Sequence, residues 1–283
     1  RPCRKRFFFG SFFFRKKERM GVTPPNHDFK ERLKDMSGHS KWANIKRKKE
    51  KTDGARAKIF TKIGREITVA AREGGADPAN NSKLATLIAK AKANNVPNDN
   101  IERLLKKAGD SKEDYEEITY EGYGPSGVAV IVETLTDNRN RTAGDLRHYF
   151  DKCGGNLGQN GSVSFLFEKK GVIVIDNEEG KYDEEKVMDD CFECGAADYD
   201  YSSDDVIEIY TEPNDVAKVA GALEQMGYTY DSAEVEYIPM TKVKIDDEEL
   251  AQKMEKLLDM FDDNDDVQNV YHNWDQPEEP DED

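Results

Sequence analysis

Lys46, Arg47, Lys48, Lys49, Arg56, Lys58 and Lys62 fall within a 17-residue window that only Glu50 and Asp53 interrupt with the opposite sign. Ammonium and guanidinium groups at this density suit one chemistry above others, pairing with the oxygens of a phosphate backbone. A face that needs only solubility interleaves both signs. Lys41 precedes the window and Arg65 follows it, so the cationic stretch continues on both sides. Trp42 lies inside it and has two roles open to it, stacking on a base or anchoring the stretch on neighbouring helices.

A second cationic feature is the run Thr136, Asp137, Asn138, Arg139, Asn140, Arg141, Thr142, read as a loop feeding a helix from about Thr142 to Cys153. Free amides at a helix start favour an anion, and Arg139 and Arg141 beside them would clamp a phosphate. The alternative is that the two arginines pair with carboxylates of their own domain. The sequence leaves both open.

Other candidate chemistries fail on spacing. Cys191 and Cys194 form a CxxC, but they fall at a helix C-terminus, where the dipole disfavours a thiolate, and no second CxxC or nearby histidine completes a zinc site. Asp262 to Asp266 resembles the start of a calcium loop, yet Val267 replaces the sixth-position glycine and Asn273 the twelfth-position glutamate. There is no HExxH, GxSxG or GxxxxGK[ST], and His39, His148 and His272 have no nucleophile beside them in sequence. The expectation is therefore a binding protein with no cofactor, metal or catalytic residue, an enzyme assembled from distant residues being the remaining alternative.

The elements that must position these residues follow from charge and periodicity. The 283 residues carry 42 Lys and Arg against 58 Asp and Glu, a net charge of -16. That charge is unevenly spread: residues 36–110 are net +9, whereas residues 111–283 are net -32. Such polarity implies a polyanionic partner for the N-terminal third. A mean hydropathy of -0.86, with no run of 18 apolar residues, excludes a membrane-spanning helix. Four scattered cysteines point to a reducing, cytoplasmic setting.

Residues 1–35 read as a non-native upstream extension, with the start at Met36. Ser37 to Lys51 packs seven basic residues, His39 among them, around Trp42 and Ile45, and reads as an exposed basic arm. Ile59, Ile63, Ile67 and Ala70 predict a helix over 55–73, capped by Asp53. Asp77 and Pro78 predict the start of a second helix carrying Leu84, Leu87, Ile88 and Ala91, and Asn98 or Asp99 the start of a third ending at Gly109. Arg56, Lys58, Lys62, Arg65, Lys90 and Lys92 fall on the solvent faces of this helical domain, placed at 36–112.

From Ile118 the period shortens to about 2, predicting strands at 118–121, 128–135 and 162–167. A βαββαβ series then runs from Gly171 to Pro239 and predicts a ferredoxin-like sandwich. Residues 171–238 hold 3 basic and 20 acidic side chains, so this part should repel nucleic acid and either meet protein or space the other domains. A helix over 246–261 and a strand over 267–272 have no place in a complete sandwich. They are assigned back to the middle domain, which makes it discontinuous (113–169 plus 240–274) around the inserted domain (170–239). The class is α+β, and 275–283 read as an acidic tail.

MSGHSKWAN at Met36 to Asn44, KTDGARAKIFTKIGREI behind it, VPNDNIERLLKKA at Val96 to Ala108, YEGYGPSGVAVIVETLTDNRNRTAGDLR at Tyr120 to Arg147 and GGNLGQNGSVSFLF at Gly154 to Phe167 closely resemble the YebC/PmpR family. The resemblance covers nearly all of 36–274. It implies a three-domain cytosolic protein acting as a DNA-binding transcriptional regulator. Mitochondrial relatives are translational activators, and bacterial ones are also linked to the ribosome, so the alternative is a translation factor bound to ribosomal RNA or tRNA. The nucleic-acid contacts expected on either reading are Lys41, Lys46, Arg47, Lys48, Lys49, Arg56, Lys58, Lys62, Arg65, Arg139 and Arg141.

Overall fold

The apolar face of the first helix does what its spacing predicts. In the computed structural model, which describes residues 53–108, 115–177, 180–201 and 206–276, α1 (Asp53–Gly74) buries Ile63, Ile67, Ala70 and Ala71 against α2 (Ser82–Ala93) and α3 (Asn98–Ala108). Leu84 and Ala91 of α2 and Ile101 of α3 complete this small core. Burying Ile63, Ile67, Leu84 and Ile101 is worth roughly 1.5–3 kcal/mol each, and it is what holds three short helices that would be marginal alone.

One expectation here is corrected. Asp77 and Pro78 do not open α2; Asp77 instead closes a turn by accepting from the Ala79 amide at 3.0 Å. The cap is Asn81, whose Oδ1 accepts from the Leu84 amide at 3.1 Å while its Nδ2 donates to the Ala70 and Gly75 carbonyls at 2.7 and 2.9 Å. One buried amide thus starts α2 and ties down the end of α1.

The middle domain is a four-stranded antiparallel sheet in the order β3-β1-β2-β8, built from β1 (Glu116–Tyr123), β2 (Ala129–Thr136), β3 (Asn156–Leu157) and β8 (Val267–His272). Its central strand β2 is apolar on both faces because both are covered. Val130 and Val132 face α4 (Arg139–Cys153) and α7 (Glu248–Asp262), in a core with Leu146, Phe150, Met254, Leu257 and Phe261. Ala129 and Ile131 face the other way, toward Val163, Phe167 and Tyr271. The C-terminal helix and strand do return to this domain, β8 pairing with β2 from Val130↔His272 to Thr134↔Val267.

The stretch read as a separate strand over 162–167 is not one. Ser164–Leu166 forms a single 3₁₀ turn, and Phe167 opens a long strand, β4 (Phe167–Asp176). That strand pairs with β7 (Ser232–Pro239) along its length, Phe167↔Pro239 to Val174↔Ser232, so a two-stranded ribbon carries the chain into the inserted domain and out of it. There β5 (Asp198–Asp200) and β6 (Val206–Thr211) complete a sheet ordered β5-β6-β4-β7, with α5 (Glu184–Cys194) and α6 (Val216–Gln225) over Ile173, Ile175, Ile207 and Ile209. This is the ferredoxin-like arrangement. Cys191 and Cys194 are buried in its core, and burial pushes the Cys191 thiol up to about 12.

Candidate nucleic-acid interface

Lys41, Lys46, Arg47, Lys48 and Lys49 lie outside the described residues, and Arg56 sits on α1 with its side chain outside them as well. The structure places the remaining five candidates on two helices. Lys58, Lys62 and Arg65 follow one another along the face of α1 opposite its buried isoleucines; Arg139 and Arg141 stand on α4.

Both arginines of the second group lie in the first turn of α4, not in a loop before it. The helix begins at Arg139, capped by Asn138, whose side chain accepts from the Arg141 amide at 3.1 Å. No acidic residue occupies that first turn, and cations at a helix N-terminus are opposed by the dipole. Asp137, just before the helix, pairs with Arg141 at 2.7 Å, and a second, more buried anion comes from far along the chain. Asp266, 4% exposed, accepts from Arg141 Nη2 at 2.7 Å, Thr142 Oγ1 at 2.8 Å and Thr136 Oγ1 at 3.1 Å. The anion held by this helix start and its arginine is the protein's own carboxylate.

The same carboxylate binds the helical domain. Arg65 Nη1 donates to Asp266 Oδ1 at 2.8 Å and to the Asp265 carbonyl at 2.7 Å, and its guanidinium lies 5.7 Å from the Tyr115 ring centroid. Two turns earlier on α1, Lys58 pairs with Asp263. Burial alone would raise the Asp266 carboxyl, but the hydrogen bonds from Arg141, Thr142 and Arg65 together outweigh it and hold it below the ordinary carboxylate value. Arg141 is correspondingly raised, chiefly by its bonds to Asp266 and Asp137. Arg65, Arg141, Tyr115, Tyr149 and the acidic turn 263–266 line an open polar cleft of about 350 Å³ between the two domains.

Arg65 and Arg141, 76 positions apart in sequence, thus meet at one carboxylate. Lys58 joins them through the same acidic turn, whereas Lys62 is half-buried on α1. Arg139 stays exposed and makes no ion pair with the described residues; its carbonyl accepts from Tyr120 at 3.3 Å. Lys90, read as solvent-facing, is half-buried and bridges Glu66 at 3.4 Å and Glu234 at 2.9 Å, tying the helical domain to β7. In the sequence alone the acidic turn stands out only as a failed calcium loop. Its pairing with cations some 125 and 200 residues upstream leaves no local trace.

Residues 40–111 match the TACO1/YebC protein N-terminal domain, and residues 115–274 match the TACO1/YebC second and third domain. The chain belongs to the TACO1/YebC family. A relative in Ruminiclostridium cellulolyticum, named "Probable transcriptional regulatory protein", is 59% identical over 249 residues, covering 87% of this chain and 100% of its own length. One of the same name in Caldicellulosiruptor saccharolyticus is 56% identical over 245 residues, covering 86% of this chain and 100% of its own. Among solved structures, a conserved hypothetical protein of Aquifex aeolicus is similar to this chain, with a TM-score of 0.73 at 45% identity over 82% of this chain and 96% of that one.

Proposed function

We propose that the protein is a nucleic-acid-binding regulator of gene expression, contacting DNA in the role that the names of its relatives describe. The observation that carries this reading is the charge polarity, net +9 over residues 36–110 against net -32 over residues 111–283. A phosphate backbone is attracted by the first part and repelled most strongly by the inserted domain, where residues 171–238 hold 3 basic and 20 acidic side chains, which favours approach from the helical-domain end. Lys41, Lys46, Arg47, Lys48, Lys49, Arg56, Lys62 and Arg139 make the phosphate contacts. Lys58, Arg65 and Arg141 reach phosphate only by exchanging the carboxylates of Asp137, Asp263, Asp265 and Asp266 for it. The acidic inserted domain is left for a protein partner.

A second reading, an RNA-binding translation factor working on the ribosome, is favoured by the make-up of the arm. Residues 41–51 hold five lysines and one arginine. Lysine is a point charge that lacks the planar fork used to read base edges, so the arm suits backbone and shape recognition better than duplex sequence readout. Filter binding of the full chain to a 30-bp duplex DNA and to a structured RNA of equal length, from 50 to 300 mM salt, tests both. Tighter binding to the duplex supports the transcriptional role and tighter binding to RNA the second reading. Failure to retain either at 50 mM salt overturns the proposal.

A further inference from the structure

The run from Gly154 to Phe167, GGNLGQNGSVSFLF, is 14 residues without a single charge in a chain that is 35% charged. Little of it is regular structure beyond the two-residue β3 and one 3₁₀ turn, yet it is closely tied down. Glu121 of β1, 7% exposed, turns its carboxylate inward and accepts from the amides of Gly161 and Val163 at 2.8 Å and of Ser164 at 2.9 Å. The Glu121 carbonyl takes the Gly158 amide at 2.8 Å, the Phe150 carbonyl takes the Gly155 amide at 2.8 Å, and Tyr123 Oη donates to the Ser162 carbonyl at 2.9 Å. Gly155 packs so closely that a Cβ there would collide with the Tyr123 carbonyl oxygen.

What this scaffold holds outward is specific. Asn156, Gln159 and Asn160 are exposed, and their side-chain amides make no hydrogen bond with the described residues. Phe165 is 63% exposed at the end of the loop, and beside it Met240, 47% exposed, donates its amide to the Leu166 carbonyl at 2.9 Å. An amide offers a donor and an acceptor in one plane, which is the pattern of a base edge, and an exposed ring offers a stacking face. No carboxylate within the loop repels an approaching strand.

We propose that the loop from Gly154 to Phe165 contacts unpaired nucleobases of a single-stranded nucleic acid, Phe165 stacking on a base and the amides of Asn156, Gln159 and Asn160 pairing with base edges. This rests on the nucleic-acid reading and deepens it. The basic arm supplies a salt-dependent attraction to any backbone, and the loop adds a salt-independent preference for strands whose bases are free. Bases paired in a duplex present neither a free face nor a free Watson–Crick edge.

The test measures the full chain by fluorescence anisotropy against a 20-nucleotide oligouridylate, a 20-nucleotide oligothymidylate and a 20-bp DNA duplex. Phe165→Ala should weaken both single-stranded probes by about 10-fold, the lower part of the range for loss of one base stack, and leave the duplex and the salt slope unchanged. Phe165→Tyr should restore affinity. In a Phe165→Trp variant with Trp42→Phe, single strands should quench the indole emission. The stronger of the two single-stranded responses identifies RNA or melted DNA as the source of the bases. Phe165 is exposed, so melting temperature should stay within about 2 °C and loss of fold cannot imitate the effect. Wild-type protein that binds all three probes while Phe165→Ala weakens none, or weakens duplex and single strands alike, overturns the proposal alone. Wild-type protein that binds none overturns the nucleic-acid reading and the proposal with it.

Discussion

Replacing Asp266 by Asn should separate the helical domain from the middle one energetically while leaving the apolar packing of both intact. The carboxylate has four partners, Arg65, Arg141, Thr136 and Thr142, at 2.7 to 3.1 Å. Removing one member of a buried ion pair costs about 3–5 kcal/mol. The Arg65 and Arg141 side chains are 20% and 44% exposed, so water takes over part of their solvation, which lowers the expected loss to about 2–3 kcal/mol. Asp263→Asn removes a pair whose side chains are 45% and 71% exposed and should cost about 0–1 kcal/mol. Urea unfolding followed by emission of the buried Trp274, in a Trp42→Phe background, measures both. The sign with pH is fixed by the lowered Asp266 carboxyl: its contribution is complete above the unfolded carboxylate pKa of about 4 and disappears as pH falls through the lower folded-state value. The gap between wild type and Asp266→Asn should therefore stay constant from pH 8 to about 5 and narrow below about 4. A loss under about 0.5 kcal/mol at pH 7, or equal losses for Asp263 and Asp266, would refute the placement of the interdomain link at Asp266.

Neutralising Lys46, Arg47, Lys48 and Lys49 with glutamine should flatten the plot of log K against log salt by roughly 0.7–0.9 for each phosphate left without its cation; an unchanged slope removes the arm from the interface. Glu121→Gln should cost about 2–3 kcal/mol, because one neutral oxygen replaces a carboxylate serving three amides, and hydrogen exchange at Gly161, Val163 and Ser164 should accelerate. Exchange at the wild-type rate there would contradict the anchoring of the loop. With the Cys191 thiol pushed up to about 12 by burial, on the order of one in ten thousand is thiolate at pH 8, so a thiol reagent should modify Cys191 only after denaturant is added. Rapid labelling of native protein at Cys191 would show the inserted core to be open.

Where the sequence is legible, one local rule acts alone. The isoleucine spacing of α1 reports one covered face and the nearly unbroken apolar run of β2 reports two, and they locate these elements to within two or three residues. The return of α7 and β8 to the middle domain is legible because four strands already complete a ferredoxin-like sheet. Misreadings arise where a distant group changes the balance. Local rules start α4 too late because Arg139 and Arg141 are poor first-turn residues, and part of what holds Arg141 there is Asp266, 125 residues beyond it, acting with Asp137. Asp77 and Pro78 form a better helix-start pattern than Asn81 and Ser82, yet Asn81 wins because its amide also binds the end of α1. Ser162 to Phe167 alternates like a strand, but the Glu121 carboxylate takes up the amides of Val163 and Ser164 that a ladder would have used.

The most direct test of the nucleic-acid assignment is sedimentation of native cell lysate on a sucrose gradient, with and without nuclease, followed by detection of the protein across the fractions. The charge polarity predicts migration in fast fractions at low salt and a shift to the top after nuclease. DNase alone should be sufficient if DNA is the target, and RNase alone if the ribosome is. Protein that stays at the top of the gradient before any nuclease is added, or in fast fractions after both, would contradict the assignment.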